Sequence, residues 1–264
     1  KEMWTKAACK GNLDSFYQLG EHFVAVDDAS KGVAFLRSAA EKGHTEAIAE
    51  LGRMYFTGRG VERDEHRSEY LCLTAASRGH LQSICHLGLL YLTRKGHDAA
   101  SHRRAITWFS LAADRGFAMG LYQLGTIYRE DYEGIPVDLP RAFRYFQEAA
   151  DKGEPMGLVS LGEMYAKGEF VDKDMDKAKD LLHKALGIYS EFEACYHLGR
   201  CYLDTDDLKR GATFMHSAAV LDDHRRAQYL LETWYRIGQV RTPQIEERHY
   251  PQREKVVGGN YMSS

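Results

Sequence analysis

The chain has 264 residues, 44% hydrophobic and 28% charged, an ordinary globular make-up with enough apolar material for a sizeable core. A net charge of −3 offers no overall basic face for phosphate backbones, and the longest apolar stretches, such as Leu87–Leu92, fall far short of the roughly 18 residues a membrane helix needs. Five cysteines (Cys9, Cys72, Cys85, Cys195 and Cys201), odd in number, irregularly spaced and without a CxxC, argue against a disulfide framework and for a reducing compartment, the cytosol or an organelle matrix.

Taken in chain order, the elements repeat. The opening "MWTKAACKG" (Met3–Gly11) is in phase with "TWFSLAADRG" further on, so residues 1–11 are predicted to be the second helix of a truncated preceding repeat; with Lys1 first, a longer native chain is expected. From residue 12 to 224 the pair Leu-Gly recurs at Leu19-Gly20, Leu51-Gly52, Leu87-Gly88, Leu124-Gly125, Leu161-Gly162 and Leu198-Gly199, in steps of 32, 36, 37, 37 and 37 residues. Ala-Ala recurs in the same phase at Ala39, Ala75, Ala112, Ala149 and Ala218, with Ala185-Leu186 as the variant. Before each comes a helix-capping residue type: Asp28, Asp64, Ser101, Asp138, Asp174 and Asp207. Three marks in one phase over six periods predict six two-helix units.

In each unit, helix A carries Leu-Gly and then an aromatic residue (Phe23, Tyr55, Tyr91, Tyr128, Tyr165, Tyr202). Helix B starts after the cap and carries an apolar ladder (Phe35, Leu71, Trp108, Tyr145, Leu181, Phe214) before Ala-Ala. Gly43, Gly79, Gly116 and Gly153 stand where C-terminal glycines belong, and Pro140 and Pro155 fall in first turns. Helices of about 13 residues are marginal alone, so they are expected to stack as an all-α α-solenoid. The recurring Leu-Gly is read as a close approach of helix A to helix B, with Ala-Ala as the facing small surface. Residues 225–241 are expected to form a terminal helix and 242–264 a polar tail.

One feature opposes simple helix electrostatics. A base stands three residues after each cap: Lys31, Arg67, Arg104, Arg141, Lys177 and Arg210. A cation in a helix's first turn works against the macrodipole. Pairing with an acid on the neighbouring helix, or an aliphatic stem laid over the repeat junction, is the expected compensation; a basic stripe for RNA is the sharper alternative.

The stretch "EAIAELGRMYFTGRGVERDEHRSEYLCLTAASRGH" resembles the Sel1-like repeat, a relative of the tetratricopeptide repeat, and "MGLVSLGEMYAKGEFVDKDMDKAKDLLHKAL" matches it through Gly168, Val171, Asp174, Lys177 and Ala178. Repeats one and six have shortened loops and look more like plain tetratricopeptide units, and repeat three lacks the loop valine. The cysteine pair of the family's secreted branch is absent from each repeat. The resemblance implies a right-handed superhelix with the A helices on its concave face, and a role as adaptor or scaffold. Tetratricopeptide geometry then implies partner-binding residues along the A helices: Tyr17, Arg53, Phe56, Tyr122, Arg129, Glu163, Tyr196 and Arg200, aromatic and charged types that include those favoured at interface hot spots.

Twelve histidines invite a search for chemistry. His197 and Cys201 share a helix face at i,i+4, but no CxxC or HExxH supports a metal, and packing is the expected role. There is no phosphate-cradling or nucleophile-elbow motif. No catalytic residue, metal site or cofactor is assigned. The expected function is a non-enzymatic interaction scaffold that holds a protein partner or sits within a multi-subunit complex. An RNA-associated repeat protein of an organellar machine is the second reading, and a metal- or haem-linked assembly factor using His197 and Cys201 the third.

Overall fold

A computed structural model describes residues 12–26, 28–93, 98–187 and 191–222. The expected truncated helix at 1–11, terminal helix at 225–241 and tail at 242–264 lie outside the described residues. Within the described residues are twelve α-helices: α1 (Leu13–Ala25), α2 (Ala29–Glu41), α3 (Thr45–Thr57), α4 (Glu65–Ser77), α5 (Leu81–Thr93), α6 (Ala99–Asp114), α7 (Ala118–Arg129), α8 (Leu139–Asp151), α9 (Pro155–Lys167), α10 (Met175–Leu186), α11 (Glu191–Asp204) and α12 (Leu208–Asp222). Odd numbers are the A helices and even numbers the B helices of six repeats, an α-solenoid. The described residues fall into two compact units, one ending at Trp108 and one starting at Phe109.

From α1 to α5 in the first unit, and from α7 to α12 in the second, each helix packs on the next in sequence. Successive A helices also touch: α3 with α5 in the first unit, and α7 with α9 and α9 with α11 in the second. The A helices of these pairs therefore lie side by side within their units.

Five B helices begin at the aspartates that the sequence marks: each carboxylate accepts from the backbone N–H three residues on, in Asp28, Asp64, Asp138, Asp174 and Asp207. Each such cap contributes about 1 kcal/mol. The third repeat differs. Asp98, not Ser101, does the capping, accepting from the Ser101 N–H at 2.7 Å, so α6 starts three residues earlier than expected. Two strong helix formers, Ala99 and Ala100, follow Asp98 and add a turn.

The capping aspartate is itself pinned. Its own N–H donates to the carbonyl of the helix A aromatic: Asp28 to Phe23 at 2.9 Å, Asp64 to Tyr55 at 2.9 Å, Asp138 to Tyr128 at 2.7 Å, Asp174 to Tyr165 at 3.0 Å and Asp207 to Tyr202 at 2.8 Å. This bond closes the A–B loop in short-loop and long-loop repeats alike.

The Leu-Gly glycines mark the A–B contact as expected, but Ala-Ala does not face them. A Cβ on Gly52 would lie 2.9 Å from the Cys72 Sγ, and on Gly125 2.5 Å from a Phe146 ring carbon. The opposing residues are Leu36, Cys72, Phe146, Leu182 and Met215, which are fully buried or nearly so and stand one place after the predicted ladder. Glycine thus makes room for a large side chain. The Ala-Ala pair meets the next A helix instead: a Cβ on Gly157 would lie 2.7 Å from the Ala149 Cβ, and one on Gly120 3.0 Å from that of Ala112.

In repeats one, four and six the ladder residue stacks on the A-helix aromatic. Ring centroids of Phe23 and Phe35 are 5.4 Å apart, those of Tyr128 and Tyr145 5.9 Å, and those of Tyr202 and Phe214 5.5 Å, all nearly parallel.

Candidate interaction face

The bases after the caps have a shared partner that the sequence reading did not foresee. Lys31 lies over the ring of Phe23 at 6.0 Å, Arg67 over Tyr55 at 5.5 Å and Arg104 over Tyr91 at 5.7 Å. Arg141 lies over Tyr128 at 4.6 Å, Lys177 over Tyr165 at 4.2 Å and Arg210 over Tyr202 at 4.6 Å. Four of them also pair with their own capping aspartate: Lys31 with Asp28, Arg67 with Asp64, Arg141 with Asp138 and Arg210 with Asp207. The expected acid on a neighbouring helix is replaced by a ring on helix A and a carboxylate one turn back. Both offset the unfavourable macrodipole. The base and the ladder residue are four apart on helix B, so in repeats one, four and six one A-helix ring meets both. These cations serve the fold of each repeat.

The residues predicted to face a partner lie on the A helices. In the first unit, Tyr17 stacks on His44 with centroids 5.1 Å apart. Burial, and then a hydrogen bond to Glu21, hold the Tyr17 phenol above its ordinary pKa. His44 caps α3: its Nδ1 accepts from the Ala47 N–H at 3.2 Å, which leaves Nε2–H to donate to Asp14 at 3.1 Å. Arg53 grips Glu50 with both arms of its guanidinium, Nε reaching Oε2 at 2.8 Å. Phe56 meets His86 edge-on at 6.1 Å and receives Arg63 over its ring at 5.7 Å. Burial, with the charge of Arg53 adding to it, pushes His86 down to about 4.

In the second unit Arg129 bridges α7 to α9 and the loop beyond. Its Nη1 donates to Glu163 at 2.7 Å, and Nε and Nη2 hold Glu169 at 2.9 and 2.6 Å. Lys167 adds a bond to Glu163 at 2.6 Å. Burial alone would raise the Glu163 carboxyl, but the hydrogen bonds from Arg129 and Lys167 bring it down to about 2. Tyr122 is half-buried against Phe146, with centroids 6.1 Å apart. Tyr196 is buried, 9% exposed, and meets His197 edge-on at 5.2 Å. Arg200 is half-buried on the same helix. Burial drives His197 down to about 4, against the pull of Glu163, and raises the Cys201 thiol to about 11. Among the described residues no three His, Cys, Asp or Glu side chains gather as a metal site, and no helix is long and apolar enough to cross a membrane.

The profile of the family described as Sel1 repeat matches residues 15–44, 45–80, 81–117, 118–154, 155–186 and 192–210. The chain belongs to the Sel1 repeat family. Its fold is similar to that of c5321, a protective antigen of uropathogenic Escherichia coli with an SLR fold, at TM-score 0.67 and 25% identity over 90% of this chain. The chain spans about half of that structure's length, 52%. It is also similar to a Sel1 repeat protein from Oxalobacter formigenes, at TM-score 0.63 and 22% identity over 78% of this chain and 85% of that one. No curated protein matches it. Sel1 repeats typically mediate protein interactions, and no catalytic family is indicated.

Against this Sel1 frame the sequence reading missed two members of the Arg129 cluster. Lys167 and Glu169 flank Gly168, whose φ of +69° turns the chain out of α9 and carries Glu169 back to Arg129. The only signal was an acid about one repeat length, 40 residues, from an arginine. Phe170 was also missed. It takes φ +71° where the second repeat has Gly60, also at +71°, and is 51% exposed with its ring 5.6 Å from that of Phe143.

Proposed function

We propose that this Sel1 repeat chain is a non-enzymatic interaction scaffold that binds a protein partner along its A helices, as a subunit of a larger assembly. The observation that carries the reading is the division of labour along each repeat. The base lies over the A-helix ring in all six repeats, and in five of them the capping aspartate N–H reaches the carbonyl of that ring residue. One register of the face varies freely and stays accessible, Glu21, Arg53, Leu89, Thr126, Glu163 and Arg200; at the other, Tyr17, Ala49 and Tyr122 are half-buried, while Cys85, Val159 and Tyr196 are buried. A fixed frame that presents a variable surface suits recognition of one particular partner.

Tyr17 and Phe56 are half-buried rings on this face, whereas Val137 is an exposed residue in the α7–α8 loop. Tyr17 and Phe56, and separately Val137, are replaced by the photo-crosslinking amino acid p-benzoylphenylalanine in the native host. The same protein is expected to be captured from Tyr17 and Phe56 and not from Val137. Capture of equal strength at Val137, or none at either ring, refutes the A-helix assignment. Tyr196 is buried and Arg129 joins α7 to α9, so replacing either would disturb the fold itself.

A further inference from the structure

The first unit holds a groove on its B-helix side that the repeat frame does not require. It has a volume of about 590 Å³ and is lined by α2, α3 and α4, among others by Arg37, Glu41, Tyr55, Arg67, Tyr70 and Arg78. Arg67 and Arg78 stand where other repeats also carry bases: Arg67 is the base after the cap, and Arg78 aligns with Lys42, Arg115 and Lys152. Arg37 and Tyr70 are additions. The positions matching Arg37 hold Leu73, Ser110, Gln147, His183 and His216, and those matching Tyr70 hold Ala34, Thr107, Arg144, Asp180 and Thr213.

The two guanidiniums converge on one oxygen. An Arg37 Nη and an Arg67 Nη each lie 3.3 Å from the Tyr55 hydroxyl oxygen. That oxygen accepts from both cations, which leaves its own proton to be donated. Burial would raise the Tyr55 phenol, but these two bonds lower it. A buried ring thus carries a hydroxyl donor between two arginines, beside the ring of Tyr70, which is 70% exposed. Asp64 offsets Arg67 from the cap side at 3.2 Å, and Glu41 is the one acid lining the groove, so Arg37 and Arg78 leave it cationic. A fork of guanidiniums with a phenol donor is the geometry that holds a carboxylate by charge-assisted hydrogen bonds.

We propose that this groove binds an acidic peptide segment of a protein partner, one carboxylate lying between Arg37 and Arg67 and the adjoining residues against Tyr70 and Leu71. A peptide is favoured over a nucleic acid because the chain is negative overall, at −3, and Glu41 and Asp64 border the groove, which repels an extended polyanion. The inference rests on the reading that the repeats bind proteins, yet it concerns a separate face.

The test is fluorescence anisotropy of the full chain with a fluorescein-labelled peptide that carries one glutamate between apolar neighbours, Gly-Leu-Glu-Leu-Gly, compared with Arg37→Gln, Tyr55→Phe and Arg103→Gln. Arg37 and Arg103 are both exposed, so each replacement removes one surface charge, and circular dichroism checks the fold. Arg37→Gln is expected to weaken binding roughly tenfold and Tyr55→Phe to weaken it less, with Arg103→Gln unchanged. Equal weakening by Arg37→Gln and Arg103→Gln shows net charge alone and overturns the site. So does the absence of binding to the native chain. Binding of inorganic phosphate that depends on Arg37, with none of the peptide, overturns the peptide assignment in favour of a small-oxyanion site. Because the probe is a defined peptide, failure here leaves the photo-crosslinking result on the A helices to stand or fall by itself.

Discussion

Gly125→Ala puts the A–B contact to a quantitative test. Gly125 lies inside α7, where alanine is the better helix former by up to about 1 kcal/mol. Propensity alone therefore predicts a more stable protein. The structure predicts the reverse. An added Cβ would sit 2.5 and 2.6 Å from two carbons of the Phe146 ring, and that ring is 1% exposed and held among other core side chains. At contacts this short overpacking falls in the upper part of its range, about 2–3 kcal/mol, so with the helix gain of about 1 kcal/mol subtracted the net loss is about 1–2 kcal/mol. In a chain of this size that lowers the melting temperature by roughly 2–8 °C. Gly187→Ala is the matched control: its φ is −73°, its nearest neighbour would be 3.6 Å away, and the change is expected to be neutral or to stabilise by up to about 1 kcal/mol. Thermal melts by circular dichroism read both, and Gly125→Ala with Phe146→Leu tests the coupling, since a smaller side chain restores the space. A Gly125→Ala protein that melts at or above the native temperature would refute the close-approach account.

Acid should act in two windows. His86 and His197 are held near 4 by burial, below their ordinary 6.5, so the unfolded chain takes up protons that the folded chain refuses. Their contribution is complete above about pH 6.5 and declines toward pH 4, by up to about 1.4 kcal/mol per pH unit for each group. Glu163, held down to about 2, adds stability that is present above its ordinary 4.5 and is lost as pH falls toward 2. Urea midpoints at pH 7.5, 5.5, 4.5 and 3 check this, and a midpoint unchanged between pH 7.5 and 4.5 would sink the histidine part. For the ring contacts, Lys177→Met removes the cation over Tyr165 and the bond to its hydroxyl at 2.6 Å, with an expected loss of about 0.5–1 kcal/mol by thermal melting. Lys177→Arg should retain most of the stability; equal loss in both variants would show that the charge over the ring contributes nothing.

The fold was legible because its marks are local and repeated: a glycine after leucine, a cap, an alanine pair. Where local information ended, the reading slipped. Ser101 is as good a cap by type as Asp98, and the choice between them turned on whether two alanines extend the helix. Small residues were matched with small residues, yet Gly125 faces the whole ring of Phe146, because space cleared on one helix is filled from the other. On the A helices, the tetratricopeptide resemblance placed Tyr196 on the partner face but had no means of showing that packing buries it to 9%. Arg129 and Glu163 were both singled out, but their pairing across 34 residues, and the arrival of Glu169 from 40, depend on how one repeat lies on the next.

The bond from each cap N–H to the carbonyl of the A-helix aromatic joins residues five apart in Phe23–Asp28 and Tyr202–Asp207, nine apart in Tyr55–Asp64 and Tyr165–Asp174, and ten apart in Tyr128–Asp138. Helix geometry therefore remains the same whatever length of chain is paid out between the two anchors. In the two tightest repeats a second glycine on helix B, Gly32 or Gly211, lets the backbones close up; a Cβ there would lie 2.9 and 3.2 Å from the carbonyl oxygens of Gly20 and Gly199. The A–B loop is thus a slack tether between fixed clamps. Residues can be added to it or removed from it without resetting the phase of the array, so it is the segment of the repeat where new sequence is accommodated at least cost to the stack.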